Sequence, residues 1–533
     1  MNRLKAFAIA LLVIATSTAH GQLFNEDLYK FGRALDYVSS YYVDSVNRNS
    51  LVEHALVQML KELDPHSVYL TKEEVKEMNE PLEGNFEGIG IQFNVLDDTL
   101  YVISPIAGGP SEEVGIHAGD RIISIDGENV AGVGLSTNGV RDRLLGEKGT
   151  KVKVQVKRKG IDKLLSFTIT RDKIPIYSLD ASYMVEEEIG YIKLNRFAKT
   201  TNDEFEKALK SLKKEGANSL VLDLRGNGGG YLNQAIALAD EFFDEEKLLV
   251  YTEGRKVEKT EELSTDEGLC KDGNLVVLID EGSASASEIV AGAIQDWDRG
   301  IVVGRRSFGK GLVQRQVMLP DGAMFRLTVA RYHTPTGRVI QKPYDEGTEA
   351  YAMELRQRYE QGELMHRDSV HFPDSLRYKT LVEGREVYGG GGIMPDVFVP
   401  LDTTTYTSFS SQMLREGLVN RFVLNYVDEH RDELNDKYES FEAFKREFHV
   451  EESVYQTFRD FGQENDVDIT DDDPEKSFEE MSLLIKALVA RDLWDMSQYY
   501  QIVHERDKGL KQAVEILKNW EKYHTQLVTF SDN

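Results

Sequence analysis

Between Gly190 and Gly304 the chain alternates short apolar runs with amphipathic helix patterns, and this alternation restricts the fold more than any other feature. GYIKL, SLVLDL, LVVLID and GIVVG are strand-length and rich in β-branched and aliphatic residues. Between them TNDEFEKALKSLKKEGA, NQAIALADEFF and SEIVAGAIQDW repeat apolar residues at three- and four-residue spacing. Strands alternating with helices predict an α/β core with an open, mixed sheet and crossover helices. A different texture precedes it. From Phe86 to about Lys159, GIGIQFNV, LYVIS, DRIISIDG and TKVKVQVKRKG alternate with glycine punctuation, as expected of a small β-rich α+β module. The flanks, Glu26 to about Met78 and Thr403 to the end, are helical in pattern, and the first ends its second helix at Asp64-Pro65. An additional amphipathic helix is expected at 349–363, and an acidic turn at Asp471-Asp472-Asp473-Pro474. The divisions expected are 1–21, 22–82, 83–162, 163–401 and 402–533.

The chain has 533 residues, enough for three or four domains. Its net charge of −28 repels polyphosphate, and no basic patch stands out, so nucleic acid is excluded as the expected partner. A single cysteine, Cys270, excludes an internal disulfide scaffold and a multi-cysteine zinc site. The first 21 residues have the three parts of a secretory signal: Arg3 and Lys5, the apolar run Ala6 to Ala15, and Ala19-His20-Gly21 before Gln22. Such a run is too short for a bilayer core, which needs about 20 residues. Cleavage near Gly21-Gln22 is therefore expected, giving an exported, periplasmic protein with no stable membrane span.

Several motif matches fail on inspection. Gly304 to Lys310 lacks the Ser or Thr of a P-loop, because Gly311 follows. The run RGNGGG after SLVLDL lacks the third glycine of a dinucleotide turn, although a glycine-rich strand-to-helix turn still presents backbone N–H groups. Asp466, Asp468 and Asp471 lack the glycine and closing Glu of a calcium loop, and the eleven histidines are scattered.

The segment Asp280 to Glu288 joins a buried strand to an apolar helix, placing Ser283, Ser285 and Ser287 at a helix N-terminus. Those N–H groups can cap, or can stabilise an oxyanion while one serine acts as nucleophile. A base is then required. His333 has no carboxylate arranged around it in sequence. Lys310, flanked by Gly309 and Gly311, fits a buried bend, and Gln314 could orient its amine if the chain turns at Gly311. A lysine serving as base needs its pKa brought from about 10.4 to about 7–8 by burial. Ser307-x-x-Lys310 also matches the Ser-x-x-Lys pattern of penicillin-binding enzymes, but that pattern works on a helix and the glycines oppose one.

With these motifs in order, the chain resembles the carboxyl-terminal processing peptidases, or tail-specific proteases. Leu63-Asp-Pro-His-Ser67, Asp223-Leu-Arg-Gly-Asn-Gly-Gly-Gly230, Gly282-Ser-Ala-Ser-Ala-Ser-Glu288 and Gly309-Lys-Gly-Leu-Val-Gln314 carry the resemblance, which covers about Asp27 to Leu401. It implies a serine endopeptidase with Ser285 as nucleophile, Lys310 as base, Gln314 in support, and oxyanion donors at Ala286 and Gly229 or Gly228. Gly228 stands where the family often has proline. The module at 83–162 resembles a PDZ domain, with Gly88, Ile89, Gly90 and Ile91 as the loop receiving a substrate's C-terminal carboxylate. The resemblance further implies protein or peptide substrates with exposed C-termini, no metal or cofactor, and a homodimer through terminal helices. A non-catalytic PDZ adaptor is the competing class, disfavoured by the complete Ser285, Lys310 and Gln314 set.

Overall fold

The computed structural model describes residues 26–96, 98–106, 108–403, 407–469 and 473–530. The signal-like segment 1–21 and Asp471 and Asp472 of the acidic turn lie outside the described residues. The chain divides into two compact units, the smaller ending at Thr71 and including Gln316–Leu327, the larger comprising Lys72–Arg315 and Thr328–Asn533.

In the smaller unit, helices Glu26–Tyr41 and Arg48–Lys61 are followed by the strand Val68–Leu70, which pairs antiparallel with Met324–Arg326. The Asp64 carboxylate accepts the N–H groups of His66 and Ser67 at 2.8 and 2.9 Å and the Ser67 hydroxyl at 2.6 Å. That side chain replaces the helical ladder that Pro65 cannot continue, so the Asp-Pro-His-Ser motif forms the turn from helix to strand.

The larger unit is built on a six-stranded sheet in the order Leu179–Glu186, Ile189–Leu194, Ser219–Asp223, Leu275–Ile279, Ile301–Gly304, Val397–Phe398. The first pair is an antiparallel hairpin and every later neighbour is parallel. Alternate residues enter two cores. Leu220, Leu222, Val277 and Val302 meet Phe205, Leu238, Ile289 and Val290 of the crossover helices Thr201–Glu215, Leu232–Asp240 and Ala286–Asp296. Tyr191, Val221, Val276, Leu278 and Val303 meet Leu510, Ala513, Ile516 and Leu517 of helix Lys508–Lys518. A parallel sheet needs both faces covered, and here the C-terminal segment covers the second.

The β-rich module is an antiparallel sheet in the order Ile91–Leu96, Thr99–Pro105, Arg121–Ile125, Lys151–Lys157, Leu165–Thr170. It includes a strand past the expected boundary at 162, because Leu165–Thr170 pairs residue for residue with Lys151–Val156. Among the described residues, 408–503 form seven further helices around Phe409, Phe422, Val423, Tyr455, Phe458 and Ile485. Helix Thr348–Glu360 occupies the insertion expected at 349–363. Among the described residues no helix is long and apolar enough to cross a membrane.

Candidate active site

Strand Leu275–Ile279 is wholly buried and ends in the turn Asp280 to Ala284, after which helix Ala286–Asp296 begins. The three serines of this segment differ in surroundings. The Ser283 hydroxyl donates to the Leu224 carbonyl and that of Ser287 to the Asn227 carbonyl, both at 2.8 Å, and both residues are fully buried. These two hydroxyls fasten the turn to the neighbouring strand's exit. Ser285 is half-buried and occupies the N-cap with φ 56° and ψ −110°. A non-glycine residue held there stores about 1–3 kcal/mol, which its surroundings must offset.

Those surroundings centre on Glu288, fully buried one turn into the helix. Its Oε2 accepts the N–H groups of Ser285 and Lys310, each at 2.8 Å. Its Oε1 accepts the Gly309 N–H at 2.7 Å and the Ser307 hydroxyl. Burial pushes the Glu288 carboxyl up from its ordinary value, against the downward pull of these four bonds. One side chain thus ties together two residues that are remote in sequence. The Ser285-x-x-Glu288 spacing is the signature of a capping box, and it was the available signal for this residue. Ser307 is 1% exposed, donates to Glu288 and accepts the Ile393 N–H at 2.6 Å. It is therefore a structural brace, which removes the Ser307-x-x-Lys310 reading.

Lys310 Nζ donates to Gln314 Oε1 at 3.3 Å, bringing together the two residues that the sequence paired. The bend that allows this is one step earlier than expected: Gly309 has φ +88°, whereas Gly311 is outside the left-handed region. A Cβ on Gly309 would come within 3.0 Å of the Gly392 nitrogen, so backbone approach also demands glycine there. His333 stacks on Tyr251 and faces the Gly337 carbonyl, apart from this constellation.

The glycine turn after Ser219–Asp223 packs directly against Ser285. A Cβ on Gly229 would lie 2.9 Å from Ser285 Cβ and 3.1 Å from the Ala286 nitrogen. The Gly229 N–H donates to Asn227 Oδ1 at 2.9 Å, whereas among the described residues the N–H groups of Gly228 and Ala286 meet no acceptor. The turn is anchored by Arg225, whose guanidinium bridges Asp223 and Asp507, with shortest contacts of 2.6 Å to each. Burial alone would raise the Asp223 carboxyl; Arg225 and Lys193 instead hold it well below the ordinary carboxylate range. Asp507, at the N-cap of helix Lys508–Lys518, was not legible as a partner of Arg225, because nothing local in sequence joins positions so far apart.

In the β-rich module Ile91–Leu96 is an edge strand. Beside it a cavity of about 290 Å³ is lined by Ile89, Gly90, Ile91, Phe93, Leu144 and Leu145 among others. Gly88 is not on its wall; it closes the strand Asn85–Gly88, paired with Asp172–Pro175. Three charged groups that sequence reasoning missed also line the cavity, Glu77, Glu80 and Arg141, the last two pairing at 3.5 Å.

Comparison with known proteins agrees with this architecture. Residues 88–169 match the PDZ domain and residues 188–349 match peptidase family S41. Residues 10–74 match the activating protease CtpB N-terminal domain, and 409–495 match a family of unknown function. A carboxy-terminal-processing protease of Bartonella bacilliformis is 38% identical over 339 residues, covering 62% of this chain and 77% of that protein. The carboxy-terminal processing protease CtpB of Bacillus subtilis is 38% identical over 322 residues, covering 60% and 66%. Among solved structures, a photosystem II D1 C-terminal processing protease is 31% identical, covers 57% of this chain and 82% of its own, and has a TM-score of 0.33. These matches identify a PDZ-bearing serine peptidase. The chain belongs to peptidase family S41, among the carboxy-terminal processing proteases.

Proposed function

We propose that this chain is an exported endopeptidase that captures the C-terminal tail of a protein substrate in its PDZ groove and cleaves by acyl transfer with a Ser285–Lys310 dyad. The observation that carries the dyad is the Glu288 carboxylate, which takes the N–H of both residues on one oxygen. In this reading neutral Lys310 takes the Ser285 proton as Oγ attacks the peptide carbonyl, and Gln314 orients the amine. Lys310 then gives the proton to the leaving amine, and water, deprotonated by the same lysine, releases the acyl group. Ala286 and Gly228 supply the oxyanion N–H groups, and Gly229 shapes the turn that presents them. The edge strand Ile91–Leu96 and its apolar cavity favour a tail that adds as a strand and ends in an apolar residue.

The test is cleavage of casein by the purified protein beside Ser285→Ala and Lys310→Ala. Loss in both, with folding intact, supports the dyad; cleavage surviving in both overturns it. Protein silent until a peptide with a free apolar C-terminus is added would show that the groove also activates.

Two finer points belong to the same proposal. Leu28, Tyr29, Tyr37, Tyr41 and Val43 of the smaller unit are exposed, which supports a homodimer through the N-terminal helices. A monomer mass independent of concentration in sedimentation would overturn it. Export with cleavage near Gly21-Gln22 rests on the signal-like first residues. Mass determination of the secreted or periplasmic form tests it, and an intact N-terminus there would refute it.

A further inference from the structure

We propose that the Tyr332 hydroxyl is a positioning group for catalysis: it aims the Ala286 N–H at the developing oxyanion and holds Lys310 beside Ser285. This rests on the dyad reading above.

The geometry is specific. Tyr332 is 1% exposed, and its hydroxyl lies between two carbonyl oxygens, donating to Ser285 O at 3.1 Å and to Lys310 O. A phenol has one proton, so the two carbonyls share it and are drawn to a common point. Burial pushes the phenol well above its ordinary value, so it stays a donor throughout the working range. The tyrosine is itself fixed, its N–H donating to the Gly311 carbonyl at 3.0 Å and its ring lying in the core under the crossover helices.

What the hydroxyl controls follows from the planarity of the peptide bond. Ser285 C=O and Ala286 N–H belong to one rigid trans unit and point in opposite directions. The carbonyl also accepts the N–H groups of Glu288 and Ile289 at 2.9 and 3.0 Å, so the Tyr332 hydroxyl is a third donor that fixes it on the buried side and points the N–H toward the opposite, nucleophile side. The unit needs pinning, because Ser285 sits at φ 56° in a sparsely populated conformation. The second bond acts on the carbonyl of the residue whose side chain supplies the amine. Glu288 takes the N–H groups of the same two residues, so each is held at both of its peptide groups by two shared side chains. Removing a single oxygen from the molecule would free the Lys310 carbonyl and take the side-chain donor from the Ser285 carbonyl, which keeps its two helical N–H donors, while leaving the packing in place.

Tyr332→Phe is the direct test, read with a fluorogenic peptide taken from a casein cleavage site. The expected result is a fall in kcat of about 10- to 100-fold, less than or equal to the loss of a whole oxyanion donor, with KM within about twofold. Affinity for the matching peptide aldehyde, which forms a hemiacetal with the nucleophile, should fall by a similar factor. Para-aminophenylalanine at 332, which restores an N–H donor, should recover most of the rate. A wild-type kcat overturns the proposal. So does a loss that follows the unfolded fraction in circular dichroism and is not recovered by the amino variant. Ser285→Ala is measured alongside. If it cleaves, the dyad reading has failed; if it is inactive while Tyr332→Phe is normal, the dyad stands and only the role of Tyr332 is refuted.

Discussion

Replacing Glu288 by Gln preserves shape but forces an NH2 into one of two positions that now accept hydrogen bonds. At the place of Oε2 it would face the N–H groups of both Ser285 and Lys310. At the place of Oε1 it faces the Gly309 N–H and the Ser307 hydroxyl, and only the hydroxyl can rotate away. The second orientation is the cheaper, and it still leaves one buried N–H without an acceptor, at a cost of about 1–3 kcal/mol. The bonds to Ser285 and Lys310 survive but drop from charge-assisted to neutral, roughly 1 kcal/mol each. A neutral amide escapes the desolvation that pushes this carboxyl upward, which offsets part of the loss. The net expectation is about 2–4 kcal/mol of destabilisation in the protease core, together with a kcat loss of about 100-fold as the two reacting residues drift apart. Calorimetric unfolding and steady-state cleavage of a fluorogenic peptide read the two effects. A variant within about 0.5 kcal/mol and threefold of wild type would refute the claim that this carboxylate holds the dyad together.

Further outcomes follow from other residues. Gly229→Ala would place a methyl 2.9 Å from both the Ala284 carbonyl oxygen and Ser285 Cβ at φ +99°, so casein cleavage should fall by about 100-fold or more in a folded protein. Retained activity would show that the turn can retreat. His504, pushed down to about 4 by burial, is neutral in the native protein and titrates near 6.5 when unfolded. Between those values the unfolded chain binds the extra proton, so stability is complete above pH 6.5 and falls by about 3 kcal/mol as pH drops to 4. His504→Gln should flatten that slope in pH-dependent unfolding; an unchanged slope would assign it elsewhere. Leu510, 2% exposed beneath the sheet, should cost about 2–5 kcal/mol when replaced by Ala, measured by thermal unfolding. A loss below 1 kcal/mol would mean that helix Lys508–Lys518 contributes little to the core.

The strands at 190–304 were legible because a buried parallel sheet leaves a strong local trace, apolar runs too short for helices with amphipathic helices between them. The pairing of Lys310 with Gln314 was legible from the glycines that flank the lysine, whereas the choice of Ser285 among three serines came only from the resemblance. What escaped was non-local or depended on small conformational choices. Tyr332 looks like one more aromatic in a strand, and only the folded chain shows its hydroxyl between two distant carbonyls. Gly309 and Gly311 are equally permissive in sequence, so which of them takes the left-handed turn was not decidable. The strand Leu165–Thr170 follows a charged break at Gly160 that resembled a domain boundary. Helix Lys508–Lys518 follows other helices with the same texture, so nothing local marks it as the sheet's missing cover.

The central claim, an acyl-enzyme formed on Ser285 with Lys310 as its base, is most directly tested by trapping that species. The protein is mixed with an activated peptide ester, quenched in acid within the first turnover, and mapped by peptide mass spectrometry. The account predicts one acyl group on Ser285, formed much more slowly in Lys310→Ala and absent in Ser285→Ala. Acylation at another residue, or at Ser285 with the same rate in Lys310→Ala, would contradict it.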